Sequence, residues 1–141
     1  MNIKRIILAT LAVWLASIAM RLLTCGWLFN WIYQIHPIIW KDPTAMTDLL
    51  NLILNYLLGL VIAFIFVYIF AQFAKVLPAK GVRKGVNYGL LIWLVGSFSG
   101  MVTMPFYMDI SPVVVLYWLI QTLLLGVING AIVGAIVANK K

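Results

Sequence analysis

Charged side chains are so sparse along this chain that the uncharged stretches between them define its elements. Leu49 to Ala74 (LLNLILNYLLGLVIAFIFVYIFAQFA), Gly85 to Met108 (GVNYGLLIWLVGSFSGMVTMPFYM) and Ile110 to Asn139 (ISPVVVLYWLIQTLLLGVINGAIVGAIVAN) contain no Asp, Glu, Lys or Arg. A helix needs roughly 20 apolar residues to cross about 30 Å of hydrocarbon, so each stretch is long enough to span a bilayer with some tilt. A fourth, Ile6 to Met20 (IILATLAVWLASIAM), is shorter and meets Arg21 before Leu22 and Leu23 resume. An arginine near a helix end lifts its guanidinium to the headgroups along its aliphatic stem. The spans are therefore predicted at about 5–24, 49–74, 85–108 and 111–138.

Between the first two spans lies Gly26 to Trp40 (GWLFNWIYQIHPIIW), which carries Trp27, Trp31, Tyr33 and Trp40 and a His36-Pro37 pair. It is too polar and too broken for a span. Its aromatic residues suit the membrane–water boundary, and Pro37 ends or kinks any helix through it. An interfacial or re-entrant segment over about 26–40 is predicted, followed by the loop Lys41-Asp42-Pro43-Thr44. The other connections are short: Leu77-Pro78-Ala79-Lys80-Gly81 and Asp109-Ile110-Ser111-Pro112. Four helices with short links make an antiparallel bundle, so the fold class is all-α, a polytopic membrane protein of four transmembrane helices.

Composition excludes the alternative of a water-soluble domain. Of 141 residues 65% are hydrophobic and 9% charged, with a mean hydropathy of +1.11, leaving room for one transmembrane domain over 1–141 and no soluble module beside it. The net charge of +7 does not point to nucleic acid, because the basic residues form no amphipathic face interleaved with aromatics. Their distribution sets orientation instead. Lys4, Arg5, Lys75, Lys80, Arg83, Lys84, Lys140 and Lys141 fall at one end of the spans, against Arg21 and Lys41 at the other, so both termini are expected in the cytoplasm. Asp42, Asp48 and Asp109 then lie outside. Lys4-Arg5, the apolar run and Leu22-Leu23-Thr24-Cys25 also have the outline of a secretory signal with a lipobox-like end, although Thr24 and Arg21 are atypical for one and a retained span explains the same residues.

The densest pattern is on the last span, where Thr122, Gly126, Gly130, Gly134 and Ala138 recur at every fourth position. Such a flat face lets another backbone approach until van der Waals contact drives association. It fits either packing within the bundle or docking of a second copy or another membrane protein. Span two repeats the spacing with Asn51, Asn55, Gly59 and Ala63, and span three has Gly81, Gly85 and Gly89, then Gly96 and Gly100, with Pro105 expected to kink it. Gln121 and Asn129 lie eight apart on one face. Amides in hydrocarbon need partners, and Asn51, Asn55 and Asn87 are the expected ones unless these groups line a path for a neutral solute. The long charge-free spans disfavour ion-coupled transport.

Candidate chemistry gathers at the outer end, where Arg21 and His36 are placed to hold a lipid headgroup phosphate at a depth set by the tryptophans. Cys25 is the single cysteine, which excludes an intrachain disulfide or a CxxC pair. No HExxH is present, and Gly96-Ser97-Phe98-Ser99-Gly100 has Phe where a nucleophile elbow needs Ser. No catalytic residue, metal site or cofactor is expected. The layout, a basic N-terminus, one span, a Trp/Tyr/Pro-rich outer segment and three further spans ending in Gly126-Val127-Ile128-Asn129-Gly130-Ala131-Ile132-Val133-Gly134, looks like that of small four-span bacterial inner-membrane families. The resemblance implies an inner-membrane location and brings no site residues. The sequence thus favours a homo-oligomer or accessory subunit associating through the last helix, ahead of a small permease or channel-like protein for a neutral or lipidic solute, and then of lipid-headgroup binding or modification.

Overall fold

The structure, a computed structural model, describes residues 3–42 and 48–138. Four helices long and apolar enough to cross a membrane make up most of it: α1 (Ile3–Leu28), α2 (Leu49–Phe73), α3 (Gly81–Tyr107) and α4 (Pro112–Ile136). They run up and down in sequence. Contacts descend on one partner as they ascend on the other, from Lys84 Nζ on the Ala74 carbonyl to Tyr88 OH on the Phe66 carbonyl between α3 and α2. Ser17 with Asn129 and Thr24 with Gln121 show the same order between α1 and α4. The fold is all-α, a four-span membrane bundle.

Local chemistry sets the ends. The Asp48 carboxylate accepts the Asn51 backbone N–H at 3.3 Å and the Ser111 hydroxyl accepts that of Val113 at 3.3 Å, occupying donors that a helix start leaves without partners. Pro112 takes the first turn of α4, where it has no N–H to lose. Ala79 and Gly81 turn the chain between α2 and α3 at φ 73° and 53°. Within α3 the backbone widens into a π-type turn over Trp93–Phe98. It breaks again before Met104–Tyr107, where Pro105 supplies no N–H.

α1 extends beyond its expected end near residue 24. A π-type turn over Thr24–Leu28, closed by the Phe29 N–H on the Thr24 carbonyl at 2.9 Å, carries the helix past Cys25 and Gly26, so Arg21 sits inside it. The Thr24 hydroxyl bonds the Met20 carbonyl at 2.7 Å, drawing that acceptor away from the regular ladder. The chain then folds back as a 3₁₀ turn, Asn30–Gln34, over the start of α4. Here the belt expectation divides: Trp27 and Trp31 stay outward at 74% and 51% exposure, whereas Tyr33 and Trp40 turn inward, 4.7 Å apart between ring centroids, with Trp40 on Trp118 at 6.0 Å. The loop residues Pro43 and Thr44 and the basic Lys140 and Lys141 lie outside the described residues.

Two separate cores result. Near the end bearing the described termini, Ile6, Ala9, Val13, Ala63, Val67, Phe70, Tyr88 and Val133 pack together. At the opposite end, Ile32, Ile110, Val114, Val115 and Tyr117 form a second cluster under the folded-back segment. The outward faces stay apolar, with Leu50, Leu58, Ile62 and Leu116 each more than half exposed, as a surface solvated by lipid tails requires.

Candidate functional site

A close backbone contact joins the two glycine stripes, and it is internal. Gly81, Gly85 and Gly89 of α3 face Gly134, Gly130 and Gly126 of α4. A Cβ on Gly134 would come within 2.6 Å of the Gly81 carbonyl, and one on Gly85 would overlap the carbonyl of Gly130. The face of α4 considered for docking is thus filled by α3 of the same chain. Thr122 continues the stripe with its hydroxyl on the Trp118 and Leu119 carbonyls, at 2.8 and 3.2 Å. Trp93 Nε1 also donates to the Leu119 carbonyl at 3.0 Å. Gly59 lies 3.5 Å from the Trp14 indole nitrogen, measured from an ideal Cβ, while Gly96 and Gly100 have no heavy atom within 4 Å of theirs.

With α3 and α4 locked together, α2 is held mainly from one side, by α1. Trp14 Nε1 donates to the Tyr56 carbonyl at 3.0 Å. Between α1 and α2, floored by α4, lies a cavity of about 350 Å³, at the small end of the roughly 300–1,000 Å³ usual for small-molecule sites. One half is apolar, lined by Val13, Trp14, Gly59, Ile62, Ala63 and Phe66; toward the folded-back segment its lining becomes polar, with Arg21, Cys25, Tyr33 and Asn55. Ser17 and Asn129 lie between. Burial, reinforced by the neighbouring Cys25 side chain, pushes the Tyr33 phenol up to about 12, so it stays a protonated donor.

The amides bind partners other than those expected. Gln121 Nε2 donates to Thr24 Oγ1 at 2.8 Å and to Cys25 Sγ at 3.1 Å, and Cys25 Sγ lies 3.0 Å from Tyr117 OH. Asn129 Nδ2 donates to Ser17 Oγ at 2.9 Å, leaving its Oδ1 buried with no partner. The partners therefore come from α1, in place of the asparagines of α2 and α3. Asn55 lines the cavity, whereas Asn51 is exposed in the first turn of α2 and does not. Arg21 is at the cavity and His36, exposed on the folded-back segment, is not among its lining residues. The joint Arg21–His36 headgroup site is thus not assembled in this cavity.

The sequence pattern assigns Ser17 and Tyr117 no role, Tyr33 only a place among the boundary aromatics and Thr24 only one in the lipobox-like outline. A signal for two of them was present. Ser17 and Thr24 lie seven apart, which puts them on one face of a helix, one residue short of the eight that separate Gln121 and Asn129 on the facing helix. Among the described residues no three His, Cys, Asp or Glu side chains converge as metal ligands would. Comparison with known proteins gives no relative from which to read a role: no family model, no curated protein and no solved structure matches the chain.

Proposed function

We propose that this protein is a membrane-embedded binding protein for a small amphipathic or lipidic molecule, received in the cavity between α1 and α2. The observation that carries this is the cavity itself: pre-formed, apolar at one end and hydrogen-bonding at the other, the combination that small-molecule sites share. With the basic end of the bundle placed in the cytoplasm, the polar part of the cavity belongs to the outer half of the membrane. The Ile6–Val13–Val67–Phe70–Val133 core seals the inner half, which favours a receiving or carrier site over an open pore. An accessory subunit docking through α4 has less support, because α3 occupies that helix's glycine face.

Gly59→Leu tests the reading. An added Cβ there meets only the edge of Trp14, at ordinary contact distance, and Gly59 lines the cavity, so the substitution puts a larger side chain at the cavity wall. Cys25, the single cysteine and a lining residue, reports on access: a bilayer-soluble maleimide is expected to label it in wild type and at least several-fold more slowly in Gly59→Leu. Equal labelling rates in two equally folded proteins would remove the cavity as a binding site.

A further inference from the structure

We infer that the occupant of this cavity is a single-chain amphiphile with an anionic head, held at Arg21. The inference rests on the cavity's being a binding site and adds the class of ligand.

Arg21 carries the argument for charge. It lies seven residues from the end of α1, and a cation at that position is costly unless water, headgroups or a counter-ion reach it. The chain has three carboxylates, Asp42, Asp48 and Asp109. Asp48 caps α2, and no carboxylate is among the residues that line the cavity with Arg21. A guanidinium offers a planar fork of donors that matches a carboxylate or a phosphate. Tyr33 and Asn55 line the same end of the cavity and supply neutral donors for remaining head oxygens. The anion completes a site that already has its cation.

Shape carries the argument for one chain. The lining of α1 runs from Gly26 to Val13, about 20 Å at 1.5 Å per residue. That exceeds the roughly 15 Å half-thickness of the hydrocarbon core, so head and tail both fit along it. With a volume of about 350 Å³, a cleft of that length is narrow, a slot for one acyl chain beside Gly59, Ala63 and Phe66.

The test uses the full-length protein in phosphatidylcholine nanodiscs, with a pyrene-labelled long-chain fatty acid as probe and unlabelled competitors. Hexadecanoate and a single-chain lysophosphatidate are expected to displace the probe, whichever of the two binds more tightly identifying the head as carboxylate or phosphate. Hexadecanol is expected to compete at least tenfold more weakly. Arg21→Gln should weaken probe binding about tenfold or more, as loss of a charge-assisted hydrogen bond does, Arg21→Lys less so, and His36→Gln not at all. Hexadecanol competing as well as hexadecanoate, with Arg21→Gln unchanged, would overturn the anionic head and leave the cavity reading intact. Two-chain phosphatidate competing equally would overturn the single chain. Probe binding unaffected by Gly59→Leu would remove the cavity reading together with this one.

Discussion

Two amides eight residues apart on α4 have opposite balances. Gln121 gives both bonds to α1, through Thr24 and Cys25, and Thr24 is 2% exposed. Asn129 gives one bond to Ser17 and leaves a buried carbonyl oxygen with no donor. Interhelical polar contacts in a bilayer are worth about 0.6–2 kcal/mol, while a buried acceptor without a partner costs about 1–3 kcal/mol. Gln121→Leu is therefore expected to lower stability by about 1 kcal/mol in detergent-mixed-micelle unfolding. Asn129→Leu, which removes the cost with the bond, should stay within about 0.5 kcal/mol of wild type. A ranking in the other order would mean that the Asn129 oxygen has a bonding partner in the membrane. That both residues need partners was legible in the sequence, because amides in hydrocarbon always do. Which partners they find was legible only as the one-face spacing of Ser17 and Thr24, since small hydroxyls carry no hydropathy signal.

Between elements, the glycines divide into two groups that spacing alone makes look alike. The GxxxG interval is met by Gly81, Gly85 and Gly89 and by Gly96 and Gly100, yet only the first set faces α4. The reason is the π-type turn at Trp93–Phe98, which adds residues to the turn and rotates the later glycines off the contact stripe. Spacing predicts a flat face; it does not see a widened turn that changes where the face points. Gly85→Ala is expected to destabilise by about 3 kcal/mol, the scale of overpacking, because its Cβ meets the Gly130 carbonyl and, at 2.7 Å, the Gly134 backbone nitrogen. Gly100→Ala, with open space around its Cβ, should be neutral or up to about 1 kcal/mol more stable through helix propensity. Thermal unfolding of the two variants in one detergent checks both. Destabilisation by Gly100→Ala would show that this part of α3 packs against something outside the monomer.

At the scale of the whole molecule, the four spans and their antiparallel order follow from charge-free runs and short links, which is why the architecture was legible. The cavity was not, because it arises from unequal packing: α3 and α4 approach to backbone contact, and α2 is left to lean on α1 with a gap beneath it. Which leaflet that gap serves depends on the orientation of the bundle, and the basic residues give the sign. Lys75, Lys80, Arg83 and Lys84 follow α2 closely, and only Asp109 carries charge between α3 and α4, so the first connection is expected in the cytoplasm and the second outside. Val76 and Met108, 81% and 59% exposed, report on the two without altering a charge. In a Cys25→Ala background, Met108→Cys should react with a membrane-impermeant maleimide in intact cells and Val76→Cys only after the cells are opened. The opposite pattern would turn the polar part of the cavity toward the cytoplasmic leaflet and make a ligand from inside the cell its natural occupant.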